Sequence, residues 1–329
     1  MYEERTHTTR ALVVFNPTAG QAATLEYALH EACAVWRGAG WTVDLRPTEG
    51  PADATRIARE AAAQGYDIVV AAGGDGTVNE VVNGLAGTPT ALGVLPVGTV
   101  NVWVREIGIP LQPRAAAEAL LHAERRLVDL GKAGERYFLL MASLGFDATV
   151  TATVRSDHKR WLGAFAYVVQ GVKIAFHFQG VRARLRIDGK KLHGRFLMIV
   201  IGNSQLYGGV VKLTADALID DGLLDVCVIK GSTLRGAPLR MWSILRRSHR
   251  ADPYIAYYRA RHVTCVTSKP FDVQVDGDHI GSTPMSFEVA PGALVALMPH
   301  RFASTLLRAT SQAVAEPALA DEMPLESYS

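Results

Sequence analysis

The feature that most constrains the fold is a regular alternation of short apolar runs and longer helical segments in the first 95 residues. The apolar runs are only five or six residues long, which is typical of buried strands rather than helices. The predicted order is strand Ala11–Phe15, helix 21–38, strand Trp41–Leu45, helix Asp53–Gln64, strand Asp67–Ala72, helix Thr77–Leu85 and strand Thr90–Leu95. Such alternation predicts a Rossmann-like, doubly wound α/β domain with a mostly parallel sheet.

The pattern changes after about residue 131. Residues 181–187 alternate Val, Ala, Leu and Ile with arginines, and Asp188-Gly189 supplies a hairpin turn before Arg195–Ile201. Further strands are predicted at Leu223–Ile229, His262–Thr267, Phe271–Val275, Met285–Val289 and Ala293–Met298. Short strands joined by tight turns predict an antiparallel β-rich, sandwich-like domain.

We therefore expect two domains, 1–130 and 131–298, with the boundary near residues 129–133. The segment after about 298 is expected to return to the first domain. Residues 311–329 carry four acids and no Lys or Arg, and we expect this acidic tail to be flexible.

Composition excludes several classes of protein. Hydrophobic residues make up 49% of the chain and charged residues 20%, so there is enough apolar surface for a folded core. Lys and Arg number 34 against 32 Asp and Glu, a balance that argues against a nucleic-acid partner. The three cysteines lie far apart without a CxxC pair, which argues against disulfides and cysteine-rich zinc sites and favours a cytoplasmic location.

Two segments are candidates for membrane contact. Trp161–Phe178 is the most apolar long stretch, but it contains polar and basic residues, so we expect a buried or interfacial helix rather than a membrane span. Residues 235–261 hold seven arginines against one acid, Asp252. This cluster is either a solvated helix face or a surface for anionic lipid headgroups at the inner face of a membrane. We expect no secretory signal at the polar N-terminus.

The sharpest motif is Gly73-Gly74-Asp75-Gly76-Thr77, between a predicted strand and a predicted helix. Glycines permit close backbone approach, and a helix start presents free N–H groups and a positive dipole end, so this turn suits a phosphate. A carboxylate beside a phosphate is repelled unless a cation lies between them, so Asp75 indicates Mg²⁺. The alternative is a glycine-rich turn in which Asp75 caps the helix.

Two other polar turns follow strands of the same predicted sheet. Asn16–Gly20 follows the first strand, and Gly93–Pro110 contains the end of the fourth. Because ligands bind at the carboxyl ends of such strands, the three turns together predict a nucleotide site. The sequence has no GxxxxGK[ST], GxGxxG, HExxH or GxSxG pattern.

Six motifs together carry a resemblance to a known family. They are Asn16–Gly20, Gly73–Asn79, Gly98–Asn101, Asp129–Lys132, Gly145–Asp147 and Asp220–Asp225. In this order they resemble the diacylglycerol kinase catalytic-domain family, of the bacterial lipid kinase type related to sphingosine kinases. The resemblance spans roughly residues 10–305. GGDGT alone is shared with NAD kinases and phosphofructokinases, whereas GGDGTVNEVVNG with LPVGTVN and DDGLLDV is specific.

The resemblance implies a nucleotide site and a metal site. It puts the ATP phosphates on Gly73–Thr77, with the rest of the nucleotide surrounded by Asn16, Thr48, Asn79 and Thr99. It also puts a structural Mg²⁺ on the Asp221 carboxylate and on the Leu218 and Leu223 carbonyls. From the residues alone, the Asp-Asp-Gly sequence at 220–222 is also a routine turn.

The resemblance further places the proton acceptor of the reaction at Asp276. Asp-Gly between strands by itself predicts a hairpin turn, and both interpretations are compatible because a loop tip can hold a carboxylate in a cleft. The acid two residues on is Asp278, where the family has Glu. A second departure is Val102, where many members carry an Asp that helps Asp75 organise Mg²⁺. Asp75 and Asp129 are still present in this chain, so the expected Mg²⁺ network is one carboxylate short.

The sequence thus predicts an ATP-dependent lipid kinase that uses Mg²⁺. Domain 1–130 would bind the nucleotide and domain 131–298 the membrane lipid, with the site in the cleft between them. Asp276 would act as the base, and Asp75 would be oriented toward the metal. A soluble-substrate kinase of the NAD kinase type and a non-catalytic nucleotide or lipid sensor stay open as alternatives. The sequence identifies neither the lipid nor the oligomeric state.

Overall fold

The computed structural model describes residues 8–17, 22–146, 148, 178–207, 211–233, 252, 254–299 and 304–308. Within these ranges the chain has an N-terminal parallel sheet covered by helices and a C-terminal antiparallel β-rich part, which confirms the predicted fold class. Several predicted features lie outside the described residues. They are the Trp161–Phe178 helix except Phe178, the arginines between 235 and 250, Thr18–Gly20, Asp147 and the 311–329 tail.

The N-terminal sheet contains four parallel strands. They are β1 (Arg10–Phe15), β2 (Thr42–Pro47), β3 (Ile68–Gly73) and β4 (Ala91–Pro96). Their spatial order is β2-β1-β3-β4, and each begins and ends within two residues of its prediction. Every residue of β3 and β4 is buried, which explains why both strands are continuous apolar runs.

Five helices accompany this sheet in the described residues. They are α1 (Ala22–Gly38), α2 (Asp53–Ala63), α3 (Asp75–Leu85), α4 (Val102–Glu106) and α5 (Pro113–Leu121). Helix α3 begins two residues before its predicted start at Thr77, because Gly74 is still extended while Asp75 is already helical. The sequence reasoning missed α4 and α5.

The remaining strands form the β-rich part and its connection to the first sheet. They are β5 (Ala123–Ala133), β6 (Arg136–Phe138), β7 (Met141–Gly145), β8 (Val181–Ile187), β9 (Lys190–Gly202), β10 (Leu206–Tyr207), β11 (Val211–Lys212), β12 (Leu224–Lys230), β13 (Ile255–Ala260), β14 (His262–Thr267), β15 (Asp272–Val275), β16 (Asp278–Ser282) and β17 (Met285–Pro299), followed by a 3₁₀ turn at Ser304–Leu306. The β8–β9 hairpin turns at Asp188-Gly189 as predicted, with positive φ at both residues.

The prediction of two strands, Met285–Val289 and Ala293–Met298, is wrong, because both belong to the single strand β17. In the sequence, Pro291-Gly292 favours a turn between two strands. In the structure the strand continues through these residues with an irregular register between Ala290 and Leu294, and both halves pair with β5. The first half of β17 pairs with β14, and the second half runs parallel to β4. Strand β17 therefore joins the two sheets into one.

Two clusters of buried apolar side chains form the core. The first lies around the parallel sheet and its helices and includes Trp36 and Trp103. The second lies in the β-rich part and includes Phe138, Phe196 and Phe287. None of the helices in the described ranges is long and apolar enough to cross a membrane.

Candidate active site

The GGDGT turn connects β3 to α3 in tight contact with the next loop. A Cβ atom on Gly73 would lie 2.4 Å from Thr77 Oγ1, and a Cβ atom on Gly98 would lie 2.4 Å from the Gly74 Cα atom. Both distances are far shorter than van der Waals contact, so glycine is required at these positions. The loops after β3 and β4 thereby meet beside the N-terminus of α3, where backbone N–H groups are free of helical partners.

Three other predicted nucleotide residues lie at this same edge of the sheet. Asn16 follows β1, Thr48 follows β2 and Thr99 follows β4. The backbone N–H of Thr48 donates to the carbonyl of Phe15 at 2.8 Å, which holds the first two loops together. The predicted convergence of polar strand ends is therefore present in the fold.

Asp75 stands at the start of α3, but its carboxylate faces α4. Its Oδ1 accepts a hydrogen bond from the backbone N–H of Val102 at 2.8 Å. Burial raises the pKa of Asp75, while the backbone amides of residues 101–103 act in the opposite direction. The carboxylate thus caps a helix, as the structural alternative predicted, although the capped helix is α4 rather than α3.

No cluster of three or more His, Cys, Asp or Glu is found among the described residues, so a magnesium ion at Asp75 would have at most one further ligand of these types from them. Asp129, which the sequence reasoning grouped with Asp75, binds other loops. Its two oxygens accept the N–H groups of Gly222 at 2.6 Å and Gly292 at 2.7 Å. One carboxylate beside a phosphate site still fits Mg²⁺, because this ion is commonly held by one or two carboxylates together with substrate phosphates.

Asp276 is the most heavily hydrogen-bonded carboxylate of the site. It lies at the tip between β15 and β16 with φ 46°, so the predicted hairpin turn is present. Its Oδ1 accepts the N–H groups of Leu140 at 3.0 Å and Met141 at 2.8 Å. Its Oδ2 accepts the N–H of Leu139 at 2.9 Å and the Asn79 side-chain amide at 2.8 Å. Burial, which outweighs these donors, raises the pKa of Asp276 to about 6.

Asn79 connects the GGDGT helix to the β-rich part. Besides Asp276, its Nδ2 donates to the Tyr137 carbonyl at 3.0 Å. Its Oδ1 accepts from the Arg136 guanidinium at 2.6 and 2.9 Å. Asn83, one turn further along α3, donates to the same Tyr137 carbonyl and accepts from the Tyr137 N–H. The predicted nucleotide residue Asn79 therefore lies against the proposed base.

Arg136 is a residue that the sequence reasoning missed. It is the first residue of the short strand β6 and carries no motif that distinguishes it from any surface arginine. Its Nη2 is 3.3 Å from Asp278 Oδ2 as well as close to Asn79. This places a positive charge beside Asp278 and beside the Asn79 amide that contacts Asp276.

The predicted metal site lies elsewhere, at the turn before β12. Asp221 Oδ1 accepts the Leu223 N–H at 2.9 Å, and the Asp221 side chain is 3% exposed. The Arg259 guanidinium forms an ion pair with Asp221 and lies 3.6 Å from Asp225 Oδ2. Asp221 and the carbonyls of Leu218 and Leu223 offer the oxygen ligands that Mg²⁺ prefers. Arg259, however, already supplies a positive charge there.

Two family models match the chain. The model of the diacylglycerol kinase catalytic domain matches residues 10–133, and the model of the YegS C-terminal NAD kinase beta sandwich-like domain matches residues 141–298. Of the residues that hold the Asp276 carboxylate, Asn79 lies in the first matched range, Met141 begins the second, and Leu139 and Leu140 lie between the two.

Individual proteins agree with these models. A Pseudomonas putida protein named "Probable lipid kinase YegS-like" is 37% identical over 265 residues, which cover 80% of this chain and 88% of that protein. A diacylglycerol kinase of Bacillus subtilis is 32% identical over 301 residues, covering 90% of this chain and 99% of the relative. A solved diacylglycerol kinase structure from Bacillus anthracis has a TM-score of 0.73 at 24% identity, covering 90% of this chain and 99% of that one, and it supports the fold alone.

Proposed function

The chain belongs to the diacylglycerol kinase family, and on that premise we propose that it is an ATP-dependent kinase that phosphorylates the hydroxyl group of a membrane lipid. One observation carries the proposal. The Asp276 carboxylate, on the β-rich part, accepts a hydrogen bond from Asn79 on helix α3, and the N-terminus of α3 is the proposed phosphate site. The proposed base and the proposed phosphate site are therefore in direct contact through this helix.

Asp276 has the properties of a proton acceptor. A general base works best when its pKa lies near the working pH, and burial raises the pKa of Asp276 to about 6. In the proposed reaction the lipid oxygen forms a bond to the γ-phosphorus, the bond from that phosphorus to ADP breaks, and the hydroxyl proton passes to Asp276. Help of this kind is typically worth about 100- to 10,000-fold in rate.

The lone pairs of Asp276 are all in use, which restricts how a hydroxyl reaches them. A carboxylate has about four lone-pair sites, and four N–H donors occupy them here. Three of the donors are backbone amides, and the fourth is the side chain of Asn79. We infer that Asn79 is the donor that yields to the lipid hydroxyl, because a side chain rotates without moving the strand.

The other residues of the site would position the nucleotide phosphates, the metal ion and the side chains around the base. Backbone N–H groups at the N-terminus of α3 would bind the phosphates. Asp75 would hold Mg²⁺ there, and the ion when bound neutralises charge on the transferring phosphoryl group. Mg²⁺ at Asp221, with the Leu218 and Leu223 carbonyls, would have a structural role in the β-rich part. Arg136 would orient Asn79 toward Asp276 until the lipid hydroxyl displaces it, and it also contacts Asp278.

An apolar cluster lies near the same strand. Phe178 contacts Phe146 in an edge-to-face arrangement at 5.4 Å and Phe271 at 6.2 Å between ring centroids. Phe271 immediately precedes β15, whose other end carries Asp276. The four residues of β15 span about 13 Å, so a lipid with its hydroxyl at Asp276 would have its acyl chains near this cluster, in which Phe271 itself is 3% exposed and packs in the core.

The test is transfer of labelled γ-phosphate from ATP with Mg²⁺ to a panel of acceptors. The panel contains vesicles with diacylglycerol, phosphatidylglycerol, a sphingoid base or a polyprenol, and NAD in solution. A labelled lipid is the expected product. Labelled NADP alone would favour the soluble-substrate kinase, and ATP binding without any product would favour the sensor.

A further inference from the structure

A strongly charged surface covers one side of the β8–β9 hairpin. Arg182, Arg184 and Arg186 alternate with buried residues along β8, and all three are exposed. The strand register places each of them directly opposite a second exposed basic residue of β9. These six residues, which we call the basic face, form the pairs Arg182–Arg195, Arg184–His193 and Arg186–Lys191.

The arrangement of the basic face is costly for the fold. Like charges directly opposite each other, as in the Arg182–Arg195 and Arg186–Lys191 pairs, destabilise an antiparallel strand pair. Charged residues often protect an edge strand from pairing with other chains, but β8 is bordered by β9 on one side and β14 on the other. Edge protection therefore does not explain the arginines of β8.

The next strand adds no charge that would compensate. On β14, Thr264 lies opposite Arg186 and Val266 lies opposite Arg184. The Ser268 N–H donates to the Arg182 carbonyl at 2.9 Å, so Ser268 lies beside Arg182. The three pairs of the basic face and their neighbours on β14 therefore form three rows of side chains across the sheet. The ion pairs found among the described residues do not include any member of the basic face. The three rows thus contain basic, small polar and aliphatic side chains.

We propose that the basic face docks the protein on a bilayer that contains anionic phospholipids. Its three arginines repeat about every 7 Å along β8, and Arg195 and Lys191 lie about 5 Å from their partners across the pair, so this side of the hairpin presents a dense cationic surface to anionic headgroups. Val266 is 52% exposed in the middle row and suits an interface with lipid. Single-stranded nucleic acid fits less well, because such sites carry several aromatic side chains for base stacking and these rows contain no Phe, Tyr or Trp.

The inference rests on the proposed function in one respect, since a lipid kinase must reach its substrate in a membrane. Strand β9 connects the face to the site. It carries Arg195 and ends at Gly202, which pairs with Met141, whose N–H donates to Asp276. The eight residues from Arg195 to Gly202 span about 23 Å, and the docking face and the proposed base belong to one sheet.

The experiment compares vesicle binding by the full-length protein and two charge-matched triple variants. R182Q/R184Q/R186Q removes the arginines of β8. R37Q/R59Q/R114Q removes three exposed arginines from α1, α2 and α5. Binding is measured by co-sedimentation with vesicles of phosphatidylcholine, with and without phosphatidylglycerol. The kinase activity of all three proteins is measured in parallel on substrate lipid in neutral detergent micelles.

The β8 variant should bind the anionic vesicles about 100-fold more weakly, because each basic residue near an anionic surface contributes about fivefold. The control should stay within about twofold, since its three arginines lie on the helices of the parallel sheet and not on the basic face. Both variants should keep wild-type activity on micelles.

Three results would overturn the docking proposal. They are equal binding by the β8 variant, equal binding of the wild type to neutral vesicles, and tighter binding of the wild type to a single-stranded oligonucleotide than to anionic vesicles. A β8-dependent affinity for anionic vesicles without phosphorylation of any lipid would support the docking face and refute the proposed function. The two proposals therefore fail separately.

Discussion

The Asn79 side chain should control the pH dependence of the reaction, and Asn79→Ala tests this. The substitution removes the 2.8 Å hydrogen bond to Asp276 Oδ2, one of the contacts that lower the pKa of this carboxyl. A hydrogen bond to a charged group contributes about 1.5–3 kcal/mol, and one pKa unit corresponds to about 1.4 kcal/mol. The pKa of Asp276, about 6 in the wild type, should therefore rise by about 1–2 units.

The assay is the pH profile of kcat/KM for lipid phosphorylation. A base must be deprotonated to work, so activity should fall on the acidic side with a midpoint near the pKa of Asp276. Asn79→Ala should move that midpoint upward, whereas Asn83→Ala should not, because Asn83 contacts Asn79 and Tyr137 but has no hydrogen bond to Asp276 among those found. An unchanged midpoint in Asn79→Ala, or an equal shift in both variants, would refute the reasoning.

Three further predictions concern stability and binding. The folded protein holds the Asp276 proton more tightly than the unfolded chain does, since its pKa rises from 3.8 to about 6. This group's contribution to the free energy of unfolding should thus fall by about 3 kcal/mol between about pH 4 and pH 6, and urea unfolding of Asp276→Asn should lack that loss. Gly98→Ala places a Cβ atom against Gly74, so it should cost about 1–3 kcal/mol and weaken ATP binding in calorimetry; wild-type affinity would contradict this. Arg259→Gln leaves Asp221 without its ion-pair partner, so Tm should fall by an amount equivalent to about 1–3 kcal/mol, and Mg²⁺ should raise Tm in the variant more than in the wild type; an equal response would contradict the role of Arg259.

The sheet and its glycine turns could be predicted from sequence because their causes are local. Strands β1, β3 and β4 are short apolar runs, and a parallel strand covered on both faces has that pattern whatever its partners are. Helix α4 escaped prediction because it has only five residues and is capped by Asp75, which lies 27 positions earlier in the chain. No local pattern indicates such a contact.

The candidate site, too, could be predicted from the sequence only in part. Asp276 looks like an ordinary hairpin residue in the sequence, and only the family resemblance gave it a role. Its four hydrogen-bond donors come from α3 and from residues 139–141, so they depend on how the two parts of the chain pack. The basic face was visible as an alternation of arginines in β8, but its opposing charges depend on the register with β9.

The most direct measurement is the turnover of Asp276→Asn beside its affinity for ATP. Asn has nearly the same shape as Asp but cannot accept the proton. Turnover with lipid should fall by at least about 100-fold, while the Kd for ATP, measured by calorimetry, should stay within about twofold of the wild type. Turnover close to that of the wild type would show that Asp276 only holds the turn in place, and that another group takes the proton.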